Sequence, residues 1–277
     1  MTVNNVPPSA TFVAPTLVEE GSIYTLSLDS SSDPSDADTA AGFQYHFKCD
    51  SEPYTPLASA AEAECTAGNN GAYLLTGTIR DVGPGLFTDR VSTYSRNITV
   101  VNVAPVIDDI ANTAVAEGSP LTIPGSFTDP GAETWTATAD FGDGTGSQAL
   151  ALSDQTFTLG HTYGAFGTYV AVVTVENADT GADSESFTVT VGNISPDTTI
   201  NPLAAITEGG LIGDSGQLVD PGDNTWTATV NYGDATPSSA LALNPDKTFN
   251  LGHVYADNGS YDVIVRVNDN GGVFGCD

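Results

Sequence analysis

Apolar and polar residues alternate along this chain in short runs of roughly 4 to 8 positions, the period-2 signature of half-buried strands. Trp135-Thr-Ala-Thr-Ala and Tyr169-Val-Ala-Val-Val-Thr-Val are clear cases, built from residues that favour a pleated surface. The runs stop at Asp-Pro-Gly, Gly-Asp-Gly and Asn-Gly, where proline and glycine impose turn geometry. No segment combines the 3.6-residue period with capping residues, so the pattern predicts strands and turns throughout. The expected fold class is all-β.

The alternation is itself repeated. Pro8, Pro105 and Pro196 each stand 13 residues before a glycine, Gly21, Gly118 and Gly209, and each glycine follows a glutamate, Glu20, Glu117 and Glu208. FTDPGAETWTATADFGDGT (127–145) aligns with LVDPGDNTWTATVNYGDAT (218–236) at an offset of 91. FTLGHTY (157–163) then aligns with FNLGHVY (249–255) at 92. A first, divergent copy keeps the opening and closing segments and replaces the Gly-Asp-Gly region with FQYHFKCD and ECTAG. The reading is three tandem domains, 1–103, 104–193 and 194–277, in an elongated array. About seven short strands per ~91 residues describe an immunoglobulin-like sandwich, with Trp135 and Trp226 in equivalent inter-sheet positions.

ADFGDGT with HTYGAFGTYVAVVTV (139–145 and 161–175) resembles the PKD (polycystic-kidney-disease) repeat, and NYGDAT with HVYADNGSYDVIVRV (231–236 and 253–267) is similar to it. The first copy resembles variants of that family with a cysteine pair. The resemblance implies β-sandwiches arrayed in large extracellular proteins or used as spacers in secreted enzymes. It implies adhesion, scaffolding or spacing, not catalysis.

Charge narrows the partners. With 6 basic and 35 acidic residues the net charge is −29, which repels nucleic acid and anionic membranes. No run of 18 apolar residues exists to span a bilayer. Cys49 and Cys65 enclose a turn-rich stretch and are read as a local disulfide, which implies an oxidising, extracellular or cell-surface location. Cys276 is then a free thiol or a link to another chain.

Candidate chemistry is sparse. His161 and His253 occupy the same slot in sibling repeats, which points to a repeated structural hydrogen bond, and His46 stands alone. No Ser-His-Asp order, Cys-x-x-Cys or phosphate loop occurs, so the chain is read as a non-enzyme that requires no cofactor. Ca²⁺ is the candidate ion, because it takes six to eight oxygen ligands. Asp33, Asp36 and Asp38 form one oxygen-rich loop and Asp269 belongs to another, while Glu117, Asp129, Glu208 and Asp220 lie where repeats meet. Asn97, Asn193 and Asn258 head glycosylation sequons.

The ends of the sequence carry one further expectation. Asp277 aligns with Glu185, so the third repeat lacks its last strand. TVNNVPP (2–8) matches TVVNVAP (99–105) and TVGNISP (190–196), so residues 1–6 supply a spare of that strand. Either the chain is an excerpt of a longer array, or separate chains assemble head to tail by strand complementation into a homopolymer. The functional expectation is a structural repeat module of an extracellular fibre or large surface protein. An adhesin or carbohydrate-binding array, and the spacer region of a secreted hydrolase, are the alternatives.

Overall fold

The computed structural model describes residues 5–50, 52–82, 91–223, 225–272 and 274–276. Residues 1–4 of the spare-strand segment and Asp277 lie outside the described residues, as does the side chain of Cys276. Strands dominate, in keeping with the alternation. The chain forms two compact units, one of residues 1–108, 126–137 and 174–183, the other of residues 109–125, 138–173 and 184–277.

In the first unit, Ser9–Val13, Ile23–Ser32 and Glu62–Thr66 form an antiparallel sheet with Ile23–Ser32 at its centre. A second sheet runs in the order Leu17–Glu19, Val91–Val101, Gly71–Asp81, Phe43–Lys48. Its edge is parallel: Leu17, Val18 and Glu19 pair with Thr99, Val100 and Val101. Leu26 and Leu28 of one sheet pack with Phe47, Leu75, Ile79 and Ile98 of the other in a single core. Cys49, just after Phe43–Lys48, is bonded to Cys65 of Glu62–Thr66 at a Cα–Cα distance of 5.8 Å. The disulfide therefore staples the two sheets through that core.

One segment departs from the sequence expectation. Asp36–Ala41 is a six-residue helix, with Ser35 as N-cap accepting from the Asp38 N–H and Gly42 closing it at φ 85°. The density of aspartates there predicts an oxygen-rich loop. A serine cap, two aspartates in the first turn and three small helix formers favour one turn and a half of helix instead.

In the second unit, Thr113–Ala116 pairs in parallel with Val189–Gly192, the same edge arrangement as in the first. Further along, Ser239–Leu241, Trp226–Asn231, Ile264–Asp269 and Phe274–Cys276 form an antiparallel sheet. A smaller sheet of Asp197–Ile200, Ser215–Val219 and Thr248–Asn250 faces a core of Leu218, Val230, Phe249, Leu251, Val265 and Val267. Trp135 and Trp226 begin equivalent strands and are half-buried rather than enclosed between sheets. Trp135 meets Phe127 edge-on at 5.6 Å, and the Lys247 ammonium lies 4.4 Å over the Trp226 ring.

Candidate functional site at the joints between repeats

Each sandwich hands the chain to the next through a short linker, and two such joints are built alike. In the first unit Glu20 is 3% exposed, and its carboxylate accepts the Val103 N–H at 2.7 Å and the Asn70 N–H at 3.2 Å. In the second unit Glu117 is 1% exposed and accepts the Ile194 N–H at 2.8 Å and the Phe166 N–H at 3.1 Å. A buried carboxylate is costly unless backbone donors satisfy it, and here the donors include the linker itself. The glutamate therefore fastens the linker to the repeat that precedes it.

The following glycine completes the fastening. Gly21 and Gly118 sit at φ +71° and +70°, in the left-handed region, and both face a proline of the Asp-Pro-Gly turn. A Cβ at Gly21 would lie 2.4 Å from Pro130 Cβ, and one at Gly118 would lie 2.6 Å from Pro221 Cβ. The turns match as well: Asp129 accepts the Gly131 N–H at 2.9 Å and Asp220 the Gly222 N–H at 2.8 Å. A linker asparagine then docks onto the repeat that follows. Asn102 accepts from the Asn177 amide at 3.0 Å, Asn193 donates to Asp269 at 2.8 Å, and Asn5 donates to Asp81 at 3.3 Å.

The two joints differ electrostatically. In the first, Glu20, Asp129 and Glu133 each bring a carboxylate oxygen within 4.8 Å of the others, a set able to hold a metal ion. The Asn177 amide nitrogen faces Asn102 Oδ1 at 3.0 Å, Glu133 Oε1 at 3.2 Å, and Val103 O and Asp129 Oδ2 both at 3.3 Å. Two amide hydrogens cannot serve four acceptors. Burial, a hydrogen bond with Asp179 and the charges of Asp129 and Glu20 push the Glu133 carboxyl up to about 7. In the second joint, Asp269 stands where Asn177 does, and donors are more plentiful. The Trp226 indole N–H reaches Asp220 at 2.9 Å and Lys247 donates to the Asp220 carbonyl at 2.8 Å.

The remaining sequence candidates lie elsewhere. Asp33 accepts the Ser35 N–H at 2.7 Å, the same Asp-Pro turn again, and Asp36 and Asp38 sit in the helix that follows. Glu208 is exposed. Asn97 and Asn258 are exposed, whereas the half-buried Asn193 has its amide engaged by Asp269. His161 Nε2 lies 2.7 Å from Asp143 and His253 Nε2 2.7 Å from Asp234. Their rings stack on Phe141 and Tyr232. The Thr236 hydroxyl, followed by His253, holds Asp234 down to about 2, and Thr145 and His161 hold Asp143 low against the opposing effect of its burial. These pairs pin the Gly-Asp turn to its neighbouring strand in both repeats.

The sequence pattern alone does not mark Glu20, Glu133 and Asn177 as ligands. Their signal lay in the repeat itself, in the thrice-occurring Glu-Gly and in asparagines spaced 76, 75 and 76 residues from their partners.

Residues 102–191 match the family described as PKD domain. No curated protein matches the chain in sequence. Among solved structures it is similar to an I-band fragment of titin at 10% identity, over 98% of this chain and 96% of that one, with a TM-score of 0.41. The protocadherin fragment PcdhgB3 EC1-4 is 15% identical over 98% and 74%, with a TM-score of 0.28. The fibronectin(III)-like modules of Clostridium thermocellum CbhA are 16% identical over 66% and 93%, with a TM-score of 0.26. No helix among the described residues is long and apolar enough to cross a membrane. Residues 102–191 thus carry the match to the PKD domain, within a chain folded as immunoglobulin-like β-sandwiches in tandem.

Proposed function

We propose that the chain is a structural, non-catalytic repeat module of an extracellular fibre or large cell-surface protein, and that copies assemble head to tail by strand complementation. The observation that carries this reading is the joint built twice, Glu20 with Gly21 and Glu117 with Gly118. A catalytic site has no reason to be copied at successive joints. A chain that must transmit force or hold spacing does, because each linker needs the same fastening. The inter-sheet disulfide and the net charge of −29 suit an oxidising, aqueous exterior. The recurrence of TVNNVPP (2–8) as TVVNVAP (99–105) and TVGNISP (190–196) supports the strand-complementation part of this reading.

Negative-stain electron microscopy of the full chain, beside a version lacking residues 1–6, tests the reading. Filaments that disappear on truncation support it. Discrete particles from both preparations at every concentration would overturn the head-to-tail part.

A further inference from the structure

Positive charge is scarce in this chain, and it is unevenly placed. Four of the six lysines and arginines, Lys48, Arg80, Arg90 and Arg96, fall within the first repeat. In the larger sheet of the first unit, Tyr45, Phe47, Leu75 and Ile79 turn into the core. Strand alternation then turns Gln44, His46 and Lys48 outward on one strand, Arg80 on its neighbour, and Thr93 and Ser95 on the third. No outward residue of these three strands is acidic, in a chain with 35 acidic residues. Asp81, the one carboxylate of the three strands, is buried on the inward side, and Glu19 lies beyond them on the far edge strand.

The two cations of this face are set apart and supported. Lys48 pairs in register with Thr76, and Arg80 lies four residues further along, so their strand positions are roughly 13 Å apart. Arg80 Nε donates to Gln44 Oε1 at 3.0 Å, which fixes the plane of the guanidinium. The residue after Lys48 is Cys49, tied to Cys65, which anchors that end of the strand. An aromatic pair stands beside them. The Tyr54 ring stacks on His46 at 4.6 Å and 27°, and Tyr54 is 45% exposed. Its position is fastened by the Thr55 N–H, which donates to Phe47 O at 2.7 Å, and by the Phe47 N–H, which donates to Thr55 Oγ1 at 2.9 Å. Burial, and then the charge of Arg80, hold His46 below its ordinary value, so its ring is a neutral partner for Tyr54. The exposed hydroxyls of Thr93 and Ser95 complete an open, predominantly polar face, without the apolar centre that a protein interface buries.

We infer that this face binds an acidic polysaccharide, with Lys48 and Arg80 taking carboxylates on separate sugar units and Tyr54, backed by His46, packing against the C–H face of a sugar ring. Guanidinium and ammonium groups are the side chains that match carboxylates, and a half-exposed tyrosine offers apolar area with a polar edge. The net charge of −29 does not forbid this contact. At physiological salt the screening length is about 8 Å, so carboxylates elsewhere on the chain act weakly at this face. The inference goes beyond the structural role above and is independent of how copies of the chain assemble.

Isothermal titration calorimetry of the full chain with polygalacturonate, a polymer of a uronic acid, tests it at physiological salt, with neutral dextran as the comparison. Wild type is expected to bind polygalacturonate and not dextran. Lys48→Glu and Tyr54→Ala should each weaken binding roughly tenfold or more, the loss of one charge-assisted or stacking contact. Lys48→Gln should fall between wild type and Lys48→Glu, and Tyr54→Phe, which keeps the ring, should bind like wild type. Arg266→Glu makes the same charge change at an exposed position of the third repeat and should leave binding unaltered. Circular-dichroism melts matching wild type show that the variants are folded. Equal binding by wild type and Lys48→Glu, or an equal loss in Arg266→Glu, would overturn this face as the site. Wild type that ignores polygalacturonate, or binds dextran as well, would overturn the acidic polysaccharide. Wild-type oligomers formed without polysaccharide, seen by sedimentation velocity and dissociated by Lys48→Glu, would give the face to the acidic surface of a second copy and likewise overturn it.

Discussion

Replacing Glu117 by alanine should cost far more than the same replacement at Glu208. Glu117 is 1% exposed and receives the Phe166 and Ile194 N–H groups at 3.1 and 2.8 Å. Alanine leaves both donors without an acceptor, and an orphaned buried donor costs about 1–3 kcal/mol. Phe166 is half-buried and Ile194 is 37% exposed, so water recovers part of the loss and the total is about 2–4 kcal/mol. Glutamine keeps one acceptor and should cost about half as much. Glu208 is exposed, so its alanine variant should stay within about 0.5 kcal/mol of wild type in dilute solution. With a urea slope of roughly 2 kcal/mol/M, Glu117→Ala should lower the midpoint by about 1–2 M. The chain's two tryptophans, Trp135 and Trp226, report the transition by fluorescence. Equal midpoints for Glu117→Ala and Glu208→Ala would refute the claim that the joint glutamate fastens the linker.

Three further outcomes follow from the same geometry. Gly118→Ala and Gly209→Ala both place a side chain at positive φ, costing roughly 1 kcal/mol each, but only Gly118 also drives a Cβ against Pro221. Thermal melts should show the larger loss at Gly118, and identical losses would remove the proline contact from the account. Glu133 has its carboxyl raised to about 7, so the folded state binds a proton that the unfolded chain releases near its ordinary value of 4.5. Its contribution is therefore fully present below about 4.5 and lost as pH rises through about 7. Melting temperatures measured from pH 8 down to pH 5 should rise, Glu133→Gln should flatten that limb, and an unaltered limb in the variant would assign it to other groups. Reducing Cys49–Cys65 should cost about 3 kcal/mol through loop entropy alone. That loss should fall on the first unit, read by calorimetry with and without reductant, and a shift of the Trp226 fluorescence transition instead would contradict it.

The repeats, the turns and the all-β class were legible because each rests on local chemistry: alternation, Asp-Pro-Gly and the recurring Glu-Gly. The histidines were also readable as structural, and their ring stacking and aspartate partners recur in both repeats. What sequence could not deliver is convergence across the joint. Glu20 and Glu133 are far apart in the chain and meet beside the close approach of Pro130 to Gly21. The helix Asp36–Ala41 was hidden for a different reason. Its aspartates suit a cation loop or a first helical turn equally well, and the Ser35 cap decides between them. The Asn177 amide and its four acceptors were invisible because the equivalent position in the next repeat is an aspartate, Asp269.

The central claim is that this chain is a mechanical module of separately folding sandwiches. Pulling single molecules by their ends tests it most directly. A repeat of ~91 residues extends by roughly 3.3–3.6 Å per residue, so each should unfold in its own step of about 30 nm. The step from the first repeat should lengthen on reduction, as the loop closed by Cys49 and Cys65, 16 residues apart, is released. One rupture that frees the whole chain at once, or extension with no resisting step, would contradict the account.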